Sequence, residues 1–178
     1  MLDHFVLHAG YNQWMNGNLH RAASGMPAEE LAAPRGAFFD SILGTLNHLV
    51  VADTIWLKRF AAADEADRWS ALRPMRGEPM PASLDARPCP DLEAWWNRRQ
   101  ALDALIVDWI GQLDAADLDR TIAYATMRGD PHRKRLAHLL LHFFNHQTHH
   151  RGQATTLFSQ AGVDVGPTDL LLRIPTAP

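Results

Sequence analysis

The chain has 178 residues, 47% of them hydrophobic and 21% charged, with a formal net charge of −3. That is the length and balance of a single soluble domain, taken over 1–178, with enough apolar material for a core. A slight acidic excess argues against a nucleic-acid-binding surface, and no apolar run reaches the ~20 residues that span a bilayer.

The chain opens with "MLDHFVLHAG", which lacks the basic and long apolar regions of a secretory signal, so none is expected. Helical periodicity and breakers then mark four long segments. The first runs from about Asp3 to Ser24 and is closed by "SGMP". The second runs from about Ala37 to Ala63, with Phe38, Ile42, Leu46, Leu49, Trp56 and Phe60 in one sector of a helical wheel. A connection over Asp64 to Pro90 holds Pro74, Pro79, Pro81, Pro88 and Pro90, a density that excludes regular helix from most of it. Its Cys89 is the lone cysteine. It rules out an internal disulfide, fits a reducing cytoplasm, and reads as an incidental loop thiol.

Asp91 reads as the N-cap of the third segment, which ends near Gly111 to Leu113, with Glu93 favourable in its first turn. Residues Thr121 to Thr126 are β-flavoured and precede a Gly-Asp-Pro turn, so a strand or extended loop is expected there. The fourth segment covers about Arg135 to Gln160 and stops near Gly162, and the tail packs one short turn onto the rest. Four long amphipathic segments predict an all-α four-helix bundle, with a long proline-rich loop between helices 2 and 3. Trp14, Trp56, Trp95, Trp96 and Trp109 supply aromatic bulk for the core or for a dimer contact.

Histidine is concentrated in the fourth segment. His138, His142, His146, His149 and His150 fall within "HLLLHFFNHQTHH". Imidazoles four residues apart lie one turn apart on a helix face and can reach one ion, which gives three candidate pairs: 138/142, 142/146 and 146/150. With His146 as origin and about 100° per residue, Leu136, Leu139, Leu140, Phe143, Ala154, Leu157 and Phe158 fall roughly 20° to 120° away and mark the inner face. His150 lies inside that sector at about 40°, whereas His142, His149 and His138 fall on the other side. The 146/150 pair is therefore the one that points inward. A typical protein site needs at least a third ligand; His48, His4, His8 and His20 are candidates, and periodicity does not choose among them.

Three stretches, "YNQWMNGNLH", "GTLNHLVVADTIWLKRF" and "FNHQTHHRGQ", together resemble the DinB family of damage-inducible bacterial proteins, over most of the chain outside the proline-rich loop. The resemblance implies an up-down-down-up four-helix bundle and one divalent metal ion held by three histidines. Placed on the matching motifs, these are His48, His146 and His150. Within the last motif, Gly152 is expected to permit a close approach, Arg151 and Gln153 to anchor the bundle or a dimer contact, and His149 to lie at the surface or outside the metal shell.

Three neutral imidazoles leave the ion's charge uncompensated and a position open, the layout of a catalytic site. By resemblance to distant thiol S-transferases of the superfamily, the chain is expected to activate a small thiol, or water as a hydrolase would. Zinc or nickel is the expected metal, with iron or manganese as further options. The alternative is a non-catalytic metal-binding stress-response protein acting as a dimer, and a homodimer is expected in either case. Direct DNA binding ranks last, given the negative charge and the lack of a recognition-helix pattern. "RGDPHRKRL" places Arg128, Arg133, Lys134 and Arg135 around the start of the fourth helix. There they read as a solvated turn or as a seat for a carboxylate-bearing thiol or substrate.

Overall fold

Ser41 and Asp91 start two of the long helices. Each takes an extended conformation, and its side-chain oxygen accepts the backbone N–H three residues on, from Gly44 and Ala94 respectively, satisfying a donor that the first turn leaves open. A computed structural model describes residues 1–176; the last two positions of the domain expected over 1–178 lie outside the described residues. The long helices are α1 (Leu2–Ser24), α3 (Ile42–Ala63), α5 (Leu92–Gln112) and α6 (Leu136–Gln160), with short α2 (Ala28–Ala32) and α4 (Arg73–Gly77) in the connections. Helices α1 and α3 each pack against both α5 and α6.

The second long helix begins at Ile42, five residues later than its hydrophobic spacing predicts. Asp40 has a φ of +72°, which keeps the helix from starting earlier, and Ser41 caps its first turn. Phe38, counted with the inner face by spacing, is 88% exposed in the preceding loop.

Among the described residues the fold is mainly helical, with one small sheet. Strand β1 (Thr121–Ala125) pairs antiparallel with β2 (Pro131–Arg135), Thr121 opposite Arg135 and Ala125 opposite Pro131. Gly129, at φ +90°, turns the chain between them. The sequence suggests β1 but not its partner, because every residue of "PHRKR" is exposed and the segment shows no apolar alternation. The basic cluster therefore lies in a β-hairpin that leads directly into the last helix, and Arg135 pairs with Asp119.

The apolar core draws on all four long helices, including Phe5, Leu19, Leu46, Phe60, Trp95, Trp109, Phe143 and Phe158. Among the tryptophans, Trp69, Trp95 and Trp109 are fully buried. Through this core runs a polar network. Arg99 bonds Asp53 at 2.6 Å and approaches Asp103 at 3.1 Å. Gln147 donates to Asp53 at 2.8 Å, and Asn12 and Asn16 donate to Asp103 at 3.1 and 2.9 Å. Arg151 donates to Asn12. Two carboxylates and two guanidiniums balance, and every long helix contributes a member. Such a network fixes how the helices register, because a buried charge without its partner costs several kcal/mol.

Candidate metal centre

The inner faces of α3 and α6 meet at His48, His146 and His150. Nε2 of His150 lies 3.2 Å from Nε2 of His48 and 3.1 Å from Nε2 of His146, and the ligating atoms of all three fall within 4.8 Å of one another. Metal–imidazole bonds of about 2.0–2.1 Å place two nitrogens about 2.9 Å apart at a right angle and about 3.4 Å apart at the tetrahedral angle. The two separations from His150 lie between these limits.

Hydrogen bonds on the far side of the rings set which nitrogens face inward. Nδ1 of His48 lies 2.9 Å from the carbonyl of Leu84, and Nδ1 of His150 lies 2.7 Å from Oε1 of Gln153. Carbonyl oxygens only accept, so each Nδ1 carries the proton and each neutral ring presents a bare Nε2 lone pair to the centre. The His48–His150 contact thus joins two acceptors, which repel unless a cation lies between them. Burial keeps the rings neutral. It lowers the pKa of all three, to about 3 for His146 and about 4 for His150, where the neighbouring imidazoles reinforce it. Neutral imidazole is the form that ligates a metal.

Two structural details hold His48. The ring of Phe39 stacks on it at 3.8 Å and meets His150 edge-on at 5.5 Å. Phe39 reaches this position because Gly44 follows it closely: a Cβ at Gly44 would stand 2.0 Å from the Phe39 carbonyl oxygen. On the other side Asn47 donates to the Cys89 carbonyl and accepts the Cys89 N–H, each at 2.9 Å. This pair of bonds fastens to α3 the connection that carries Leu84. Cys89 itself is buried, and burial raises its thiol pKa.

The other histidines are not members of the three-residue cluster. His142 and His149 are exposed, with His142 packed edge-on to Trp56 and His149 edge-on to His150. His138 is exposed on α6. On α1, His8 stacks on Phe144 and His20 on Trp96, while His4 is exposed. Gln153, expected to anchor the bundle, instead orients His150; its position three residues on in the helix was the available signal. Gly152 is exposed with open space around it, so close approach does not explain it. Arg151 is a buried member of the core network.

The DinB family model matches residues 1–177. The chain is similar to Protein DinB of Bacillus subtilis (strain 168), 24% identical over 159 residues that cover 89% of this chain and 87% of that protein. No solved structure matches it. On the extent of the family match, the chain belongs to the DinB family.

Proposed function

We propose that this is a divalent-metal protein in which His48, His146 and His150 hold one ion, zinc or nickel in the first instance, and that the centre activates a small thiol or water. The observation that carries the reading is the convergence of unprotonated Nε2 atoms, held inward by Leu84 and Gln153. A bound divalent ion would supply Lewis acidity, lowering the pKa of a thiol or water beside it. The chain's own residues supply the rest. Phe39 covers one side of His48, the carbonyl of Leu84 and the amide of Gln153 fix the ring tautomers, and the buried Asp53–Arg99–Asp103 network ties α3 to α5, with Gln147 joining Asp53 to α6. The scaffold in this reading is the up-down-down-up four-helix bundle of the family, working as a homodimer in the cytoplasm.

Metal analysis by mass spectrometry on untagged wild type, His48→Ala and His146→Ala tests the site. Near-stoichiometric metal in the wild type and its loss in both variants is the expected result. Retention in His48→Ala overturns the three-histidine centre. With metal loaded, consumption of low-molecular-weight thiols against electrophilic acceptors tests the transferase reading. A metal-replete protein inert toward thiols and hydrolysable esters alike would leave the non-catalytic dimer as the function.

A further inference from the structure

Beside the C-terminal half of α3 lies a cavity of about 540 Å³, walled by α3, the β1 strand and the α4 region. Three cations line it, and two are already engaged. Lys58 donates to the carbonyls of Met75 and Glu78, and Arg76 pairs with Asp64 and Asp67. Arg59 differs. Its guanidinium lies 4.7 Å from the centre of the Trp56 ring and 5.2 Å from that of Tyr124, and among the described residues it has no carboxylate within ion-pair distance. Its Nε is sealed from solvent without a hydrogen-bond partner. A guanidinium packed against two aromatic rings keeps its charge while its N–H edge stays uncommitted, and a buried unsatisfied donor calls for a physical reason.

A second cation, Lys134, stands exposed on the strand paired with β1, outside the cavity lining. In the hairpin register Lys134 stands opposite Ile122 and His132 opposite Tyr124, and paired residues share a face. Ile122 is buried, so this is the bundle-facing side. His132 packs on Tyr124 at 5.5 Å. Rings in contact connect Trp56 to the histidine cluster, Trp56 with His142 at 5.1 Å and His142 with His146 at 5.8 Å.

We propose that the cavity between α3 and the hairpin is an oxyanion subsite, in which Arg59, resting against Trp56 and Tyr124 and with Lys134 exposed on the neighbouring strand, takes the carboxylate or phosphate of a small molecule whose reacting end reaches the three-histidine centre. The second half of that statement rests on the metal reading; the anion site itself does not. A planar guanidinium fork matches either anion by paired N–H···O bonds. The substrate class is then an elongated anionic molecule, charged at one end and thiol-bearing or electrophilic at the other.

The test monitors the Trp56 indole N–H by NMR, assigned with Trp56→Phe, while acetate or inorganic phosphate is titrated into metal-free and metal-loaded protein. Saturable shifts of Trp56 in both forms are expected, and Arg59→Gln weakens binding about tenfold or more, the loss of a charge-assisted hydrogen bond. Preference for one probe identifies the anion as carboxylate or phosphate. If Arg59→Gln does not fold, Arg59→Lys keeps the charge but loses the fork, and severalfold weaker binding is expected. No saturable response, or equal affinity in wild type and whichever Arg59 variant folds, overturns the proposal and leaves Arg59 as a packing strut. Metal content, measured on the same samples, reports separately on the histidine centre.

Discussion

The backbone carbonyl of Leu84 accepts a hydrogen bond from Nδ1 of His48 at 2.9 Å, so the proline-rich connection aims a helix side chain at the metal centre. That connection is held to α3 by the paired bonds between Asn47 and Cys89. Asn47→Ala removes the clamp while leaving all three histidines in place. The expected result is a metal affinity lower by about 10–100-fold, the usual range for lost outer-shell support, with helical content kept. Competition against a chelator measures it, and an affinity equal to wild type would show that Leu84 needs no tether.

Gly44 bears on the same ring from the opposite side. An alanine there would drive its methyl against the Phe39 carbonyl oxygen, and backbone is not a neighbour that yields cheaply. Gly44→Ala is expected to destabilise the protein by about 1–3 kcal/mol, the range for overpacking, and to displace Phe39 from His48. Thermal unfolding and metal content should both fall. A variant that lost stability but kept full metal occupancy would uncouple Phe39 from the centre.

The histidine cluster predicts a direction for pH dependence. In the unfolded chain these rings have the ordinary pKa of 6.5, whereas in the metal-free folded protein burial lowers His146 to about 3 and His150 to about 4. Between those values the unfolded state binds more protons, so stability falls as pH drops from about 6.5 toward 4 and is independent of these rings above about 7. Because the folded rings stay neutral through most of that window, proton competition for metal inside the fold is weak. Metal release on acidification should therefore track unfolding, seen by circular dichroism, and release from fully folded protein at pH 6 would contradict the buried, neutral cluster.

Periodicity reached the four long helices because each buries one face against a shared core, and it reached the inward side of α6 because seven apolar residues define it. His48 was not separable by spacing. It lies off the apolar centre of α3, and its inward aim comes from a long-range bond to Leu84 and stacking by Phe39, residues from two different connections. The start of α3 was displaced because Asp40 takes a positive φ that an Ala-Phe-Phe run does not announce. Strand β2 was illegible for a different reason: a fully exposed strand paired to a single neighbour carries no hydrophobic alternation. Gln153 lay in plain view three residues from His150, but a glutamine on a helix has many ordinary uses.

The last relationship open to direct test lies in the core, where Arg99 bridges Asp53 and Asp103 with all three side chains buried. Asp53→Leu would leave Arg99 with one carboxylate and Gln147 without its acceptor. Removing one partner of a buried pair costs about 3–5 kcal/mol, since the remaining charge is uncompensated. Arg99→Met in the Asp53→Leu background removes the stranded cation and should recover part of that loss, although Asp103 then depends on Asn12 and Asn16 alone. Urea unfolding of the single and double variants gives the coupling energy. Recovery of stability without recovery of metal affinity would show that the contacts of Asp53, its bond to Gln147 on α6 among them, set the spacing of α3 and α6 at the histidines, and do more than fill the core. Recovery of both would make the network interchangeable with apolar packing, and the position of His48 would then rest on Phe39 and Leu84.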